Sequence, residues 1–328
     1  MLSRVFAAVV AAGLLGAALT QGAVAQPSDY PNKPVTLIVP YPAGGGSDAM
    51  ARTVAEKLGE ALGARVIIEN YGSGGGTVGT RTAAKAAPDG YTLLLGHTGT
   101  ISINPTLYTN PGYDPEKDFV PMGTIARIQL ALVVHPTFPA KSVKDFIEMA
   151  KKSPDTIAMG ASAIGTGSYM SAQLFTSMTG VKVNIISYRG LAPFLTDILG
   201  GHVPVGFSVI PPAFANIKSG NLRPLAVSSA NRLVSMSEVP TVAEAGVPGF
   251  ESSVIYGVFA PTGTNPDIVA KVNKALQVAM KSKELYEQVV NEGGEPLFMS
   301  PEEYKKQLAE DANKWSSLIK KLNLKIEN

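Results

Sequence analysis

Apolar positions along the chain follow two alternating rhythms. Short runs rich in β-branched residues, at 35–39, 66–69, 92–95, 130–134, 157–160, 184–187, 205–209 and 225–228, read as strands. Between them the spacing becomes helical: Met50, Val54, Leu58 and Leu62 share one face, and Ser142 with Asp145 caps a helix carrying Phe146, Ile147 and Ala150. Near the end, Asn265-Pro266 opens a helix with Ile268, Val269, Val272, Leu276 and Ala279 facing inward. Ser300-Pro301-Glu302-Glu303 forms a capping box with proline at the first helical position. The stripe after it, Tyr304, Leu308, Ala312, Trp315, Ile319 and Leu322, reads as core rather than a cofactor box. Strand and helix alternating in this way predict an α/β fold with mostly parallel sheets.

Four places break the pattern alike, each a glycine-rich turn between a strand and a helical stretch: 40–48, 73–79, 96–100 and 160–168. Glycine admits positive φ and lets the backbone approach a ligand closely. A helix start adds unpaired N–H groups and about half a positive charge. Together they make an anion site without a basic side chain. Ser47, Thr98, Thr100, Ser162, Thr166 and Ser168 add hydroxyls. A plain glycine cap would explain any one turn alone, and Ser47 and Asp48 are ordinary N-cap residues. Four turns after four strands point to a shared site where strands end in open α/β sheets.

Sharper chemistries fail on these residues. No glycine turn carries the lysine of a phosphate-binding loop. Gly74 to Gly79 has part of a dinucleotide spacing, but Glu69 precedes it instead of following. His97, His135 and His202 are too scattered for a metal motif, and no G-x-S-x-G nucleophile elbow occurs. No cofactor or metal is expected.

Composition narrows the setting. Arg4, an apolar stretch from Val5 to Leu19 and Ala23-Val24-Ala25 read as an export leader over 1–25, its roughly 15-residue apolar core being short of the ~20 that a membrane span needs. The chain has no cysteine, so thiolate chemistry, disulfides and a lipid-anchoring cysteine are excluded. With 28 basic against 26 acidic residues there is no footprint for nucleic acid. A freely diffusing periplasmic protein, long enough for two lobes, is expected.

The stretches PYPAGGGSDAMAR (40–52), ENYGSGGGTVG (69–79), DGYTLLLG (89–96), YDPEKDFVPMG (113–123), YRGLAPFLTDILGGHV (188–203) and VPTVAEAGVPGF (239–250) carry a resemblance. In these the chain resembles the Bug/TctC family, periplasmic solute-binding proteins of tripartite tricarboxylate transporters. The resemblance implies a two-lobed flytrap: lobe 1 over 26–126 plus 251–328, lobe 2 over 127–250, and two crossings as hinge. It implies a ligand carboxylate held between lobes by backbone amides and waters. Tyr41, Ala43, Gly44, Gly45, Gly46, Ser47 and Asp48 would form the first loop, with Gly74 and Gly75 in the second turn and Thr98 and Thr100 in the third. Ser162, Gly165, Thr166 and Tyr188 would close from lobe 2, with Asp197 behind. Amphipathic alternation alone puts Asp197 on a solvated face opposite Phe194, Leu195, Ile198 and Leu199. The chain departs from the family pattern at Ala163, where a glycine is usual, at Tyr169-Met170 and at Ser187.

The reading is thus a monomeric, non-enzymatic receptor for a small organic carboxylate (a di- or tricarboxylate, an aromatic carboxylate or an acidic amino acid) that docks on membrane permease subunits. A ligand sensor feeding a membrane kinase and an exported hydrolase are the alternatives.

Overall fold

The strands, in chain order, are β1 (Val35–Val39), β2 (Val66–Asn70), β3 (Thr92–His97), β4 (Phe119–Val134), β5 (Ala158–Ala161), β6 (Asn184–Ser187), β7 (Val205–Val209), β8 (Arg223–Val227), β9 (Ser253–Pro261) and β10 (Gly294–Pro296). They come from a computed structural model that describes residues 29–72, 74–291 and 294–327. The leader read over 1–25, and Ser73 of the second glycine turn, lie outside the described residues.

All ten strands join one sheet of order β2-β1-β3-β9-β4-β7-β5-β6, with β8 and β10 also paired to β4. The outer strands are parallel: β2 and β3 flank β1, and β6 and β7 flank β5. The middle is antiparallel because β4 and β9 run back between two parallel groups. β4 pairs with β9 from Phe119 to Gln129, then with β7 and β8 from Leu130 to Val134. One strand therefore belongs to both halves, and the chain returns beside it at Ser252-Ser253. Ser228 pins this crossing: its hydroxyl accepts the Leu130 amide at 2.9 Å and donates to the Ser252 carbonyl at 2.5 Å.

Local signals decide most helix ends. The helix Gly46–Leu62 buries Met50, Val54, Leu58 and Leu62 and stops at Gly63, whose φ of 72° suits glycine. Ser142 caps Val143–Lys152 by accepting the Asp145 amide, and Asn265 caps Pro266–Met280. Both halves of the capping box at Ser300 and Glu303 are made ahead of Pro301–Lys321, where Tyr304, Trp315 and Ile319 are buried. In the second half the core is aromatic: Phe146, Phe175, Phe207 and Phe250 form linked ring contacts, all fully buried.

Three strands, β4 in its first part, β9 and the three-residue β10, escape the sequence pattern. β4 starts well before Leu130, and its first part carries Pro121, Gly123 and two breaks in register. β9 is buried on both faces, so it shows no alternation of polar and apolar residues.

Candidate functional site

Each glycine turn leaves the carboxyl end of a strand: the first follows β1, the second β2, the third β3 and the fourth β5. The first and second are tied together. The Tyr71 amide donates to the Val39 carbonyl, Asn70 Nδ2 donates to the Tyr41 carbonyl at 3.1 Å, and the Tyr41 hydroxyl donates to the Gly75 carbonyl at 3.1 Å. In the third, Thr100 Oγ1 bridges the backbone of His97, and Thr98 Oγ1 accepts the Ile255 amide on β9 at 3.0 Å. Ser47 and Tyr256 hydroxyls meet at 3.2 Å, which ties the first turn to β9 as well.

Two helix starts in this group lack side-chain caps. The helix Gly46–Leu62 has Gly45 as its N-cap, and Thr77–Ala84 has Gly76, at φ 93°. Thr77 and Thr80 turn their hydroxyls onto the carbonyls of Gly74 and Gly76. Among the described residues no side chain caps the amides at either start, and the positive end of each helix lies behind them.

Asp48 holds the first loop in shape. Its Oδ2 accepts the Gly44 amide at 2.9 Å and Arg52 Nε at 3.0 Å, and Gly44 takes a φ of 80°. Burial disfavours the charged form of Asp48. Arg52 and the Gly44 amide outweigh that and hold its carboxyl below the ordinary value; Asn70, although its amide is donated to Tyr41, adds to the effect. Asp48 and Arg52 neutralise each other, so the turn's attraction for an anion rests on its amides. Ala43 and Gly44 are exposed, and Gly45 and Gly46 are half-buried.

The fourth turn belongs to the other half, yet lies against the second and third. A Cβ built on Gly75 would stand 3.2 Å from the Ile164 carbonyl oxygen, and one on Gly99 would stand 2.7 Å from that of Gly165. Gly165, at φ 83°, makes the bend, and a Cβ there would collide with Asn104. Ala163 keeps an ordinary negative φ, so Gly165 alone supplies the unusual curvature. Its hydroxyls are committed within the turn: Thr166 Oγ1 donates to the Ala163 carbonyl at 2.6 Å, and Ser162 Oγ lies 2.8 Å from Thr166 Oγ1. Ser168 Oγ accepts the Ser162 amide and donates to the Phe207 carbonyl. Tyr169 hydroxyl accepts Gln173 Nε2 at 2.9 Å.

Tyr188 and Asp197 flank the base of this turn. The Tyr188 amide donates to the Ala161 carbonyl, and its hydroxyl donates to Asp197 Oδ2 at 2.8 Å. Burial, then the Asp197 carboxylate, push the Tyr188 hydroxyl up to about 12. Among the described residues no hydrogen bond joins this pair to the first three turns.

Two residues outside the sequence-based set, His97 and Asn104, stand at the centre. His97 is buried, stacked on Tyr41 at 4.9 Å and edge-on to Tyr256 at 5.2 Å. Its Nδ1 accepts the Gly99 amide at 2.8 Å, so the neutral ring carries its proton on Nε2. Asn104, fully buried, donates Nδ2 to the Gly75 carbonyl at 2.8 Å and leaves Oδ1 without a partner. Asp48 Oδ1 is also buried without a hydrogen bond. Only His97 had a signal in the sequence, its place inside a glycine turn.

Burial lowers the His97 imidazole to about 4. A depressed folded value means that stability is complete above the unfolded pKa of ~6.5 and is lost as pH falls toward the folded one. Folding stability is expected to drop by roughly 3 kcal/mol between pH 7 and pH 4 through this residue. In His97→Gln that segment of the stability-against-pH curve should flatten, as chemical denaturation at several pH values would show; a curve of unchanged slope refutes the assignment.

Among the described residues no group of three or more His, Cys, Asp or Glu could hold a metal ion. Two helix starts without side-chain caps among the described residues, neutral hydroxyls and a neutral imidazole lie in linked turns, two of which meet the other half, a setting suited to an anion.

The family described as tripartite tricarboxylate transporter family receptor (TctC) matches residues 50–324. BugT of Bordetella pertussis is 34% identical, over 91% of this chain and 92% of its own. An R. palustris protein solved with adipate superposes with a TM-score of 0.86 at 34% identity, covering 92% of this chain and 100% of that one. MatC from Rhodopseudomonas palustris, with bound malate, gives 0.82 at 29% identity, covering 88% and 100%. Matched along nearly its whole length, the chain belongs to the tripartite tricarboxylate transporter receptor family, among the Bug/TctC solute-binding proteins.

Proposed function

We propose that this receptor captures a small organic carboxylate between its two halves, over about 26–126 plus 251–328 and 127–250, and delivers it to a membrane permease. One observation carries the reading: two glycine-started helices without side-chain caps begin in turns tied to each other, and the second of those turns meets the fourth turn of the other half. Amides and helix dipoles stabilise a carboxylate without the desolvation cost of burying a cation. The relatives solved with adipate and malate support the same ligand chemistry. Tyr41, Ala43 to Asp48, Gly74, Gly75, Thr98 and Thr100 would form the fixed wall, and Ser162, Gly165, Thr166, Tyr188 and Asp197 the moving one. Hinge bending at the β4 and β9 crossing would bury the ligand.

The protein would work in the periplasm as a monomer, released after Ala25 without a lipid anchor. Among the described residues no helix is long and apolar enough to cross a membrane.

Isothermal titration against dicarboxylates, tricarboxylates, aromatic carboxylates and acidic amino acids tests the proposal. Saturable binding with one-to-one stoichiometry is expected for at least one of them, and the ligand should be recovered chemically unchanged. If none binds and an uncharged sugar does, the reading fails.

A further inference from the structure

A second concavity, of about 410 Å³, lies away from the glycine turns on the strand that crosses between the halves. Its lining includes Arg127 and Gln129 of β4, Val234 from the segment after β8, Tyr286 of the helix Lys283–Asn291 and Glu295 of β10. Arg127 and Gln129 are two apart on one strand and so share a face. Among the described residues neither Arg127 Nε nor Gln129 Oε1, both buried, has a hydrogen-bond partner, and Gln129 is only 4% exposed. A donor and an acceptor thus stand unused side by side under one cavity. The rim shows the opposite fault: Val234 is 95% exposed and Tyr286 54% exposed, among the few large apolar side chains so placed.

We propose that this cavity is a second binding site, for an uncharged, extended peptide segment of a partner protein. Same-face residues of a strand repeat at about 7 Å, so Arg127 and Gln129 follow the repeat at which an extended peptide presents its own carbonyl and N–H groups on one side. Its carbonyl would accept from Arg127 Nε and its N–H would donate to Gln129 Oε1. Charge complementarity favours a neutral occupant: Glu295 already faces Arg127 Nη1 at 3.7 Å, and Glu244 holds Arg232 Nε at 2.8 Å. Val234 and Tyr286 supply apolar contacts for a side chain. Glu295, half-exposed, keeps its long pair with Arg127 Nη1 while the occupant takes Nε, so the site stays neutral. Because the lining comes from both halves, the width of the site follows the angle between them, and the occupant reads the conformational state of the receptor.

The test is an NMR titration of the full chain, labelled with nitrogen-15, using N-acetyl-leucine N′-methylamide as the probe. Saturable shifts are expected at the Arg127 Nε and Gln129 side-chain resonances. Val234→Ser, a change at a solvent-exposed position, should weaken the response several-fold, and Gln129→Leu should abolish it. An equal response to N-acetyl-leucine or to isobutanol, no saturable shift, or indifference to both substitutions would overturn the proposal. The outcome is independent of what the cleft binds, since the probe bears no carboxylate.

Discussion

Gly99→Ala is expected to weaken ligand capture on the order of 100-fold while lowering the Tm by only a few degrees. The new Cβ would stand 2.5 Å from His97 Cε1 and 2.7 Å from the Gly165 carbonyl oxygen. His97 has nowhere to retreat, being stacked on Tyr41 and edge-on to Tyr256 with its Nδ1 held by the Gly99 amide. The strain is relieved by moving the fourth turn away, which parts the halves at their point of contact. Overpacking of this kind costs about 1–3 kcal/mol, and here it is charged against closure rather than folding. Titration calorimetry of the variant with whichever carboxylate the parent binds would measure the loss. Unchanged affinity would show that the halves do not close through this contact.

Phe175→Ala is expected to do the reverse: it should cost about 4 kcal/mol of folding stability and about 10 °C in Tm, and leave ligand affinity at low temperature unaltered. Phe175 is fully buried and touches three other rings, with centroids 5.7 Å from Phe146, 5.9 Å from Phe207 and 6.2 Å from Phe250. Truncation leaves a cavity that these rings cannot fill, since Phe207 and Phe250 are already stacked at 5.7 Å. Thermal and urea denaturation would supply the number. A loss below about 1.5 kcal/mol would mean that the cluster collapses into the space. The two substitutions separate the parts of the molecule that fold it from the parts that close it.

Much of this architecture is written in local pattern. Val35–Val39, Asn184–Ser187 and Val205–Val209 are strands with the limits that their β-branched runs suggest. The capping residues Ser142, Asn265 and Ser300 each accept the amide that their spacing promises. Such features depend on neighbours within a few residues, so they are readable one stretch at a time. The four glycine turns are legible for the same reason, and the TctC resemblance supplied the flytrap arrangement.

What the turns do to one another is a different kind of fact. That the Tyr41 hydroxyl reaches the Gly75 carbonyl, or that Thr98 Oγ1 accepts an amide from Ile255, depends on a sheet order in which β9 enters beside β3. Most of the hydroxyls in the turns serve as braces on carbonyls and on one another; the donors left for an anion are main-chain amides. Residue types along the chain determined the elements, their caps and the glycine bends, because short-range sterics and periodic burial act within each segment. Tertiary structure decided which bends face each other, that His97 is sealed and neutral, and that Asn104, Arg127 and Gln129 keep unpaired atoms. Those properties arise from groups distant in sequence removing water from one another, and no single stretch contains both partners.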